Sequence, residues 1–532
     1  MSFLSMKFLL FLAAAILGYY MVPKKLQWVW LLIFSYLFYL ASGPRAAVFI
    51  LATTATTFLG GLCLEGMDLR MKAALQGGAT PPGPAAPLPG PQHKKALKAR
   101  FGRYKKWIVA AVLLINFGIL AVLKYRNFAV ENVNRLFGTA YAGGNLLLPL
   151  GISFYTFQSM GYLIDVYRGK YAPDRNPFRF ALFVSFFPQI LQGPIGRYDR
   201  LSAQLFGRRA FSLTRLERGV QLMLWGYFKK IVIADRAAVI VNEVFGNYES
   251  YTGMVVLVAV LSYSLQLYGD FSGGMDVVMG AAECFGISLD ANFRRPYFAR
   301  SISDFWHRWH ITLGTWMKDY VFYPFSLSKG MHRFGKYCKN RFGKHLGRVL
   351  PVCIGNLLVF FLVGVWHGPA WNYIVYGLYN GVIIAASNLL APFYQKGTKA
   401  LHIPVDSRAW MVVQIVRTFI LVNISWYFDM AQSLGAALAM MRNTVRGFSF
   451  STLTDGSLLS LGLDKKDYAA LAISCGILFA VSLFQENHME IRDTLARQPL
   501  AARWSIYLLL LFSIPLLGQI NLTGGGFIYA QF

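Results

Sequence analysis

Between Arg348 and Lys396 the chain runs for 47 residues without an Asp, Glu, Lys or Arg, and the one side chain there that titrates near neutral pH is His367, in Val365-Trp366-His367-Gly368-Pro369. An ionisable group alone in an apolar span is expensive to keep there and marks a functional site by default. Neutral imidazole accepts a proton, so His367 can act as general base toward a hydroxyl that reaches it. From isolation alone, a neutral histidine bonded to a backbone carbonyl is an equal reading. A second group lies in Asp304-Phe305-Trp306-His307-Arg308-Trp309-His310, followed by Lys318-Asp319-Tyr320. His307 and His310 stand three apart, which on a helix predicts one shared face and a spacing that also suits a metal; no third ligand has an evident spacing, so no metal is expected. The same mixture of Trp, His, Arg and Asp suits an interfacial helix with an aromatic belt. Third, Tyr268-Gly269-Asp270-Phe271-Ser272-Gly273-Gly274-Met275-Asp276 places two carboxylates and a glycine pair directly after an apolar span. Acids six apart do not share a face of an ideal helix, so paired-carboxylate catalysis is not expected, and a helix break that hydrogen-bonds its own freed backbone is.

The elements that hold these residues are written in the composition. Of 532 residues, 56% are hydrophobic, 16% aromatic and 14% charged, where a soluble domain carries about a quarter charged. A single water-soluble globule is excluded. The formal charge is +28, from 52 Lys+Arg against 24 Asp+Glu, but the basic residues sit in short runs between apolar stretches. That is the pattern of loops beside membrane lipid, and no nucleic-acid partner is expected. Five scattered cysteines without CxxC spacing imply neither a disulfide framework nor a zinc site.

A bilayer crossing takes about 20 apolar residues. Such stretches occur at residues 3–22, 26–41, 46–64, 107–123, 254–267, 350–366, 371–390, 410–428, 468–484 and 504–520. Those at 146–164, 178–195 and 220–244 are interrupted by Pro, Gly or charge, which predicts re-entrant or partly buried helices. Residues 76–91 hold six prolines and residues 94–106 seven Lys/Arg, which predicts a flexible cytoplasmic loop; basic stretches at 329–348 and 492–503 predict two more. About eleven crossings are expected, and the side of the basic stretches puts both termini outside, which takes an even number of crossings. The expected fold class is all-α and polytopic. Its expected divisions are N-terminal spans to residue 145 with a basic, Pro-rich loop at 66–106, a core at 146–395 and C-terminal spans at 396–532.

Five strings in this order resemble the membrane-bound O-acyltransferase family: residues 149–158 with Asp165 to Gly169; Phe186-Phe187-Pro188-Gln189 with Gly193-Pro194-Ile195; Asp270-Phe271-Ser272-Gly273; Asp304-Phe305-Trp306 with Arg308-Trp309-His310; and Trp366-His367-Gly368. The resemblance spans about residues 145 to 385, and the tail at 526–532 is similar to the family's bacterial polysaccharide branch. It implies that His367 matches the catalytic histidine and His310 that of the second motif. It places Trp366, Trp309, Asp270, Ser272, Asp319 and Tyr320 as candidates to line a central tunnel or contact substrate. The reaction it implies is transfer of an acyl group, expected to be acetyl, to a hydroxyl of an extracytoplasmic cell-wall or exopolysaccharide, directly or through a partner protein. No cofactor is expected to be bound. The donor is a thioester, acetyl-CoA or an acyl-carrier protein, arriving at the cytoplasmic face of a bacterial plasma membrane, where the basic stretches at 94–106 and 329–348 attract a phosphorylated carrier. Two alternatives stand beside this: D-alanyl transfer to teichoic acid, and a transporter or flippase of glycan precursors, which would more often show intramembrane acid or arginine relays.

Overall fold

The computed structural model describes residues 2–76, 90–144, 146, 148–519 and 527. The proline-rich stretch at 77–89 and the tail at 526–532, Phe527 apart, lie outside the described residues. Among those described there are helices and no strands. Two compact units form: one of residues 5–212 with 285–289, the other of residues 2–4, 213–284 and 290–532. The step from the first to the second, after Ser212, falls inside the expected core at 146–395.

The first unit holds α1 (Met6–Met21), α2 (Gln27–Ser42), α3 (Ala47–Leu75), α4 (Pro91–Phe137), α5 (Ile152–Tyr167), α6 (Pro177–Ser185) and α7 (Tyr198–Leu205). α5 is buried almost end to end, and the irregular stretch from Phe186 to Ile195 is buried with it. Non-helical backbone survives at membrane depth when it is packed inside protein, which is why these interrupted apolar stretches are not simple spans. The basic stretch at 94–106 is helical, contrary to the flexible loop expected there. Pro91 at the first helical turn and left-handed Gly138 just past the last delimit one helix of 47 residues.

The second unit begins with α8 (Leu213–Tyr227), a π-helical stretch (Phe228–Ala234) and α9 (Asp235–Gly246), which pack on α10 (Met254–Cys284). Two glycines seven apart on each side make this contact. A Cβ at Gly219 would stand 2.6 Å from the carbonyl oxygen of Gly280, and one at Gly226 would stand 2.5 Å from that of Gly273. Small residues at such spacing let two membrane helices approach to backbone contact. The same contact corrects the break expected at Gly273-Gly274: α10 is one unbroken helix of 31 residues, and its glycines serve packing.

There follow α11 (Ile302–Arg308), α12 (Ile311–Met317), a π-helical turn (Lys318–Phe322), α13 (Tyr323–Ser326), α14 (Lys329–His367), α15 (Trp371–Leu389), α16 (Ala391–Ala400), α17 (Arg408–Met430), α18 (Leu434–Val445), α19 (Lys465–Glu486), α20 (Ile491–Ala496) and α21 (Leu500–Leu517). The basic stretch at 329–348, expected as a loop, is helical too. It bends at Gly343, whose φ of 88° few other residues adopt, and doubles back so that Gly347 lies against Lys339. Among the described residues seven helices are long and apolar enough to cross a bilayer, and an eighth if α15 and α16, bent by 60°, count as one span. Of the expected crossings, those at 3–22 and 26–41 are apolar helices of 16 residues.

Candidate active site

His367 closes α14, where extended Gly368 and then Pro369 stop the helix. Its side chain is 2% exposed. Nδ1 lies 3.3 Å from Oδ1 of Asp429, near the end of α17, and the Tyr263 hydroxyl of α10 donates to the other oxygen of that carboxylate at 2.8 Å. Three helices thus meet at one carboxylate. Asn372 fixes the register, because its amide at the start of α15 donates to the carbonyls of Phe428 and Ala431, on either side of Asp429, at 2.9 and 3.0 Å. The isolation of His367 within its own span is therefore not isolation in space. Asp429 is the residue that sequence reasoning missed, and its signal was available: it is the only acid in α17, at the end of an apolar helix.

His310 is also 2% exposed, but it does not share a helical face with His307. α11 ends at Arg308, and His310 adopts a left-handed backbone conformation (φ 45°) that turns the chain into α12. His307 stays exposed, its Nδ1 2.6 Å from the carbonyl of Ser303. The turn is held from outside. Asn292 accepts from the backbone N–H and the hydroxyl of Thr312, both at 2.9 Å, and its Oδ1 lies 3.3 Å from His310 Nδ1. It so caps α12 as an N-cap side chain would. Trp366 joins the two histidines, its indole 5.6 Å from the imidazole of His310 and 5.2 Å from that of His367, centre to centre.

The other candidates fall elsewhere. Trp309 packs among Phe293, Phe305 and Trp426, an aromatic block beneath the turn. Asp319 and Tyr320 sit on the π-helical turn after α12, with Tyr320 against Trp316. Asp270 is fully buried and pairs with Lys230, which also meets Asp235 at 2.8 Å. The neighbouring Lys229 meets Asp276 at 2.8 Å and donates to Ser272 at 2.8 Å. The two acids of α10 that could not pair with each other are thus each paired across the glycine contact with one of two adjacent lysines. Removing one member of a buried pair strands the other, so Asp270→Ala, which takes one of two carboxylates from Lys230, is expected to destabilise the protein by about 3 kcal/mol. A thermal melt in detergent checks this, and an unchanged midpoint would mean that Asp235 suffices for Lys230. Ser272, Lys229 and Asn292 also line a cavity of about 710 Å³ bordered by Arg218, Arg492 and apolar residues of α19 and α21, so free space reaches the residue that holds the His310 turn.

Two buried imidazoles joined by one indole can move a proton between a hydroxyl and a leaving group. Residues 173–338 match the model of the membrane-bound O-acyltransferase family. A probable alginate O-acetylase, AlgI, of Pseudomonas syringae pv. tomato is 31% identical over 92% of this chain and 83% of its own length. A peptidoglycan O-acetyltransferase of Helicobacter pylori is 32% identical over 64% of this chain and 65% of its own. A teichoic acid D-alanyltransferase of Bacillus subtilis is 31% identical over 53% of this chain and 69% of its own. With its many apolar helices and this extent of likeness, the chain belongs to the membrane-bound O-acyltransferase family, and it is a multi-pass membrane enzyme that transfers acyl groups.

Proposed function

We propose that this protein moves an acetyl group from a thioester donor at the cytoplasmic face of a bacterial plasma membrane to a hydroxyl of an extracytoplasmic cell-wall polymer or exopolysaccharide, directly or through a partner protein. The observation that carries this reading is the meeting of His367 and His310 on Trp366 in a buried site. In it, His367 takes the proton of the acceptor hydroxyl as the oxygen attacks the thioester carbonyl; the C–S bond breaks, and the proton passes to the departing thiolate. His310 positions the reactants. Burial keeps out water, which would otherwise hydrolyse the donor. The cavity along Arg218, Lys229, Ser272 and Asn292 is the approach for the donor. Acetyl is favoured because the relatives named for acetyl transfer include one aligned over 92% of the chain, against 53% for the D-alanyltransferase. The termini are extracytoplasmic in this reading, since the basic stretches at 94–106 and 329–348 belong inside.

Inverted membrane vesicles test donor, chemistry and orientation together. Radiolabelled acetyl thioester added outside, on the original cytoplasmic face, is expected to label hydroxyl-bearing polymer within the lumen. Label confined to the outer face would overturn the transmembrane reading. Label accepted only from a D-alanyl carrier would replace acetyl by D-alanyl.

A further inference from the structure

We propose that Asp429 is the positioning residue of His367, held in place by Tyr263, and that it makes Nε2 the nitrogen that meets the acceptor hydroxyl. This rests on the reading of His367 as general base. Oδ1 of Asp429 is buried without a hydrogen bond of its own and His367 Nδ1 lies 3.3 Å from it; a carboxylate accepts hydrogen bonds and donates none, so the hydrogen that satisfies this oxygen is carried on Nδ1. That tautomer leaves the basic lone pair on Nε2. The second carboxylate oxygen is engaged by the Tyr263 hydroxyl at 2.8 Å, and the backbone on both sides of Asp429 is tied to Asn372. Asp429 is itself 6% exposed, so the anion has little water to turn toward and its direction is set by these partners.

The consequence is a specific proton path. The acceptor O–H gives its proton to Nε2 while its oxygen bonds to the acyl carbon. For that moment the imidazole carries a positive charge, and the nearest countercharge is the Asp429 carboxylate on the far side of the ring. When the C–S bond breaks, Nε2–H returns the proton to the thiolate sulfur. Nδ1–H stays on Nδ1 throughout. An amide at position 429 keeps the size and can still accept from Tyr263, but it offers an NH2 group toward Nδ1, which favours the tautomer with its hydrogen on Nε2 and no base facing the acceptor. In hydrolases built on a comparable acid–histidine pair, that exchange lowers kcat by about 10⁴ with geometry intact.

Asp429→Asn is therefore expected to lower kcat by about 10² to 10⁴, with KM for thioester and acceptor within about twofold and the detergent melting temperature unchanged. A residue that only tied α17 to α10 would lower melting and leave kcat per folded molecule alone. Asp429→Glu, which keeps the charge, should recover at least about tenfold of the loss, and Tyr263→Phe should lower kcat about tenfold by freeing one carboxylate oxygen. In the His367→Ala background Asp429→Asn should add nothing, because there is no imidazole left to orient. Asp429→Asn with wild-type kcat, or a loss that multiplies that of His367→Ala, would overturn the role of Asp429 while leaving His367 as base. If His367→Ala itself keeps wild-type transfer, the base assignment falls first and the positioning role with it.

Discussion

His367→Ala is expected to reduce acyl transfer by roughly 10³-fold or more in kcat while the variant still reaches the membrane and melts close to the wild-type temperature. General base catalysis contributes about 10² to 10⁴ to a rate, and a buried site leaves no bulk water to stand in for the missing imidazole. The packing argument predicts survival of the fold. α14 is fixed by backbone contact with α15, where a Cβ at Gly364 would stand 2.5 Å from the carbonyl of Tyr373, and not by the His367 ring alone. The ring touches Tyr376 edge-on at 4.9 Å, so its loss opens a small space bounded by aromatics. His367→Gln fills more of that space and should be equally inactive. Purified protein assayed for acetyl transfer from a thioester, beside a thermal melt, decides the matter. Wild-type transfer in either variant would move the base elsewhere and leave His367 a structural residue of α14.

How much of this was legible in the sequence depends on whether the physics was local. The apolar spans were legible because bilayer thickness imposes a length on consecutive residues. The burial of His367 was legible for the same reason. Asp429 stood out as the lone acid of its apolar helix, but its pairing with His367 was not legible, because it lies 62 residues further on and meets the imidazole only through the packing of α14, α15 and α17. The charge pairs of α10 failed in a more instructive way. Asp270 and Asp276 were read against each other along one helix, where six residues separate them; the structure pairs them with Lys230 and Lys229 of the π-helical stretch that continues α8. The clue to that crossing was present as glycines at 219 and 226 facing glycines at 280 and 273, an antiparallel match that neither helix reveals alone. Buried acids and lysines also serve ion-coupled transport, yet here Asp270 and Asp276 are paired with Lys230 and Lys229, and the likeness to acyl-transfer enzymes gives the activity. The basic stretches show the remaining limit. Charge bias reports which side of a membrane a segment prefers and says little about its backbone, so 94–106 and 329–348 were expected as loops and are helical.

The second large effect is expected at His310, where backbone and side chain make separate demands. Its φ of 45° belongs to the left-handed region, where an ordinary side chain costs about 1 kcal/mol or more and where Asn and Gly are tolerated better. His310→Ala therefore mixes two losses: the imidazole, and the comfort of the turn that Asn292 caps. His310→Asn separates them, since Asn accepts the backbone conformation and removes the ring that lies on Trp366 and, edge-on, on Phe271 at 4.9 Å. If His310 positions reactants, transfer by the Asn variant should fall about 10²-fold with the melting temperature held within a few degrees, and the loss should appear partly in KM, because a bound reactant is held less well. A positioning group does not itself take the proton, so a residual rate above that of His367→Ala is also expected. Wild-type kcat and KM in His310→Asn would reduce the Trp-rich turn to a packing element that presents Trp366 to His367. Loss of activity equal to that of His367→Ala, with KM unchanged, would instead make His310 a direct participant in the proton transfer, and two histidines would have to share the step now given to one.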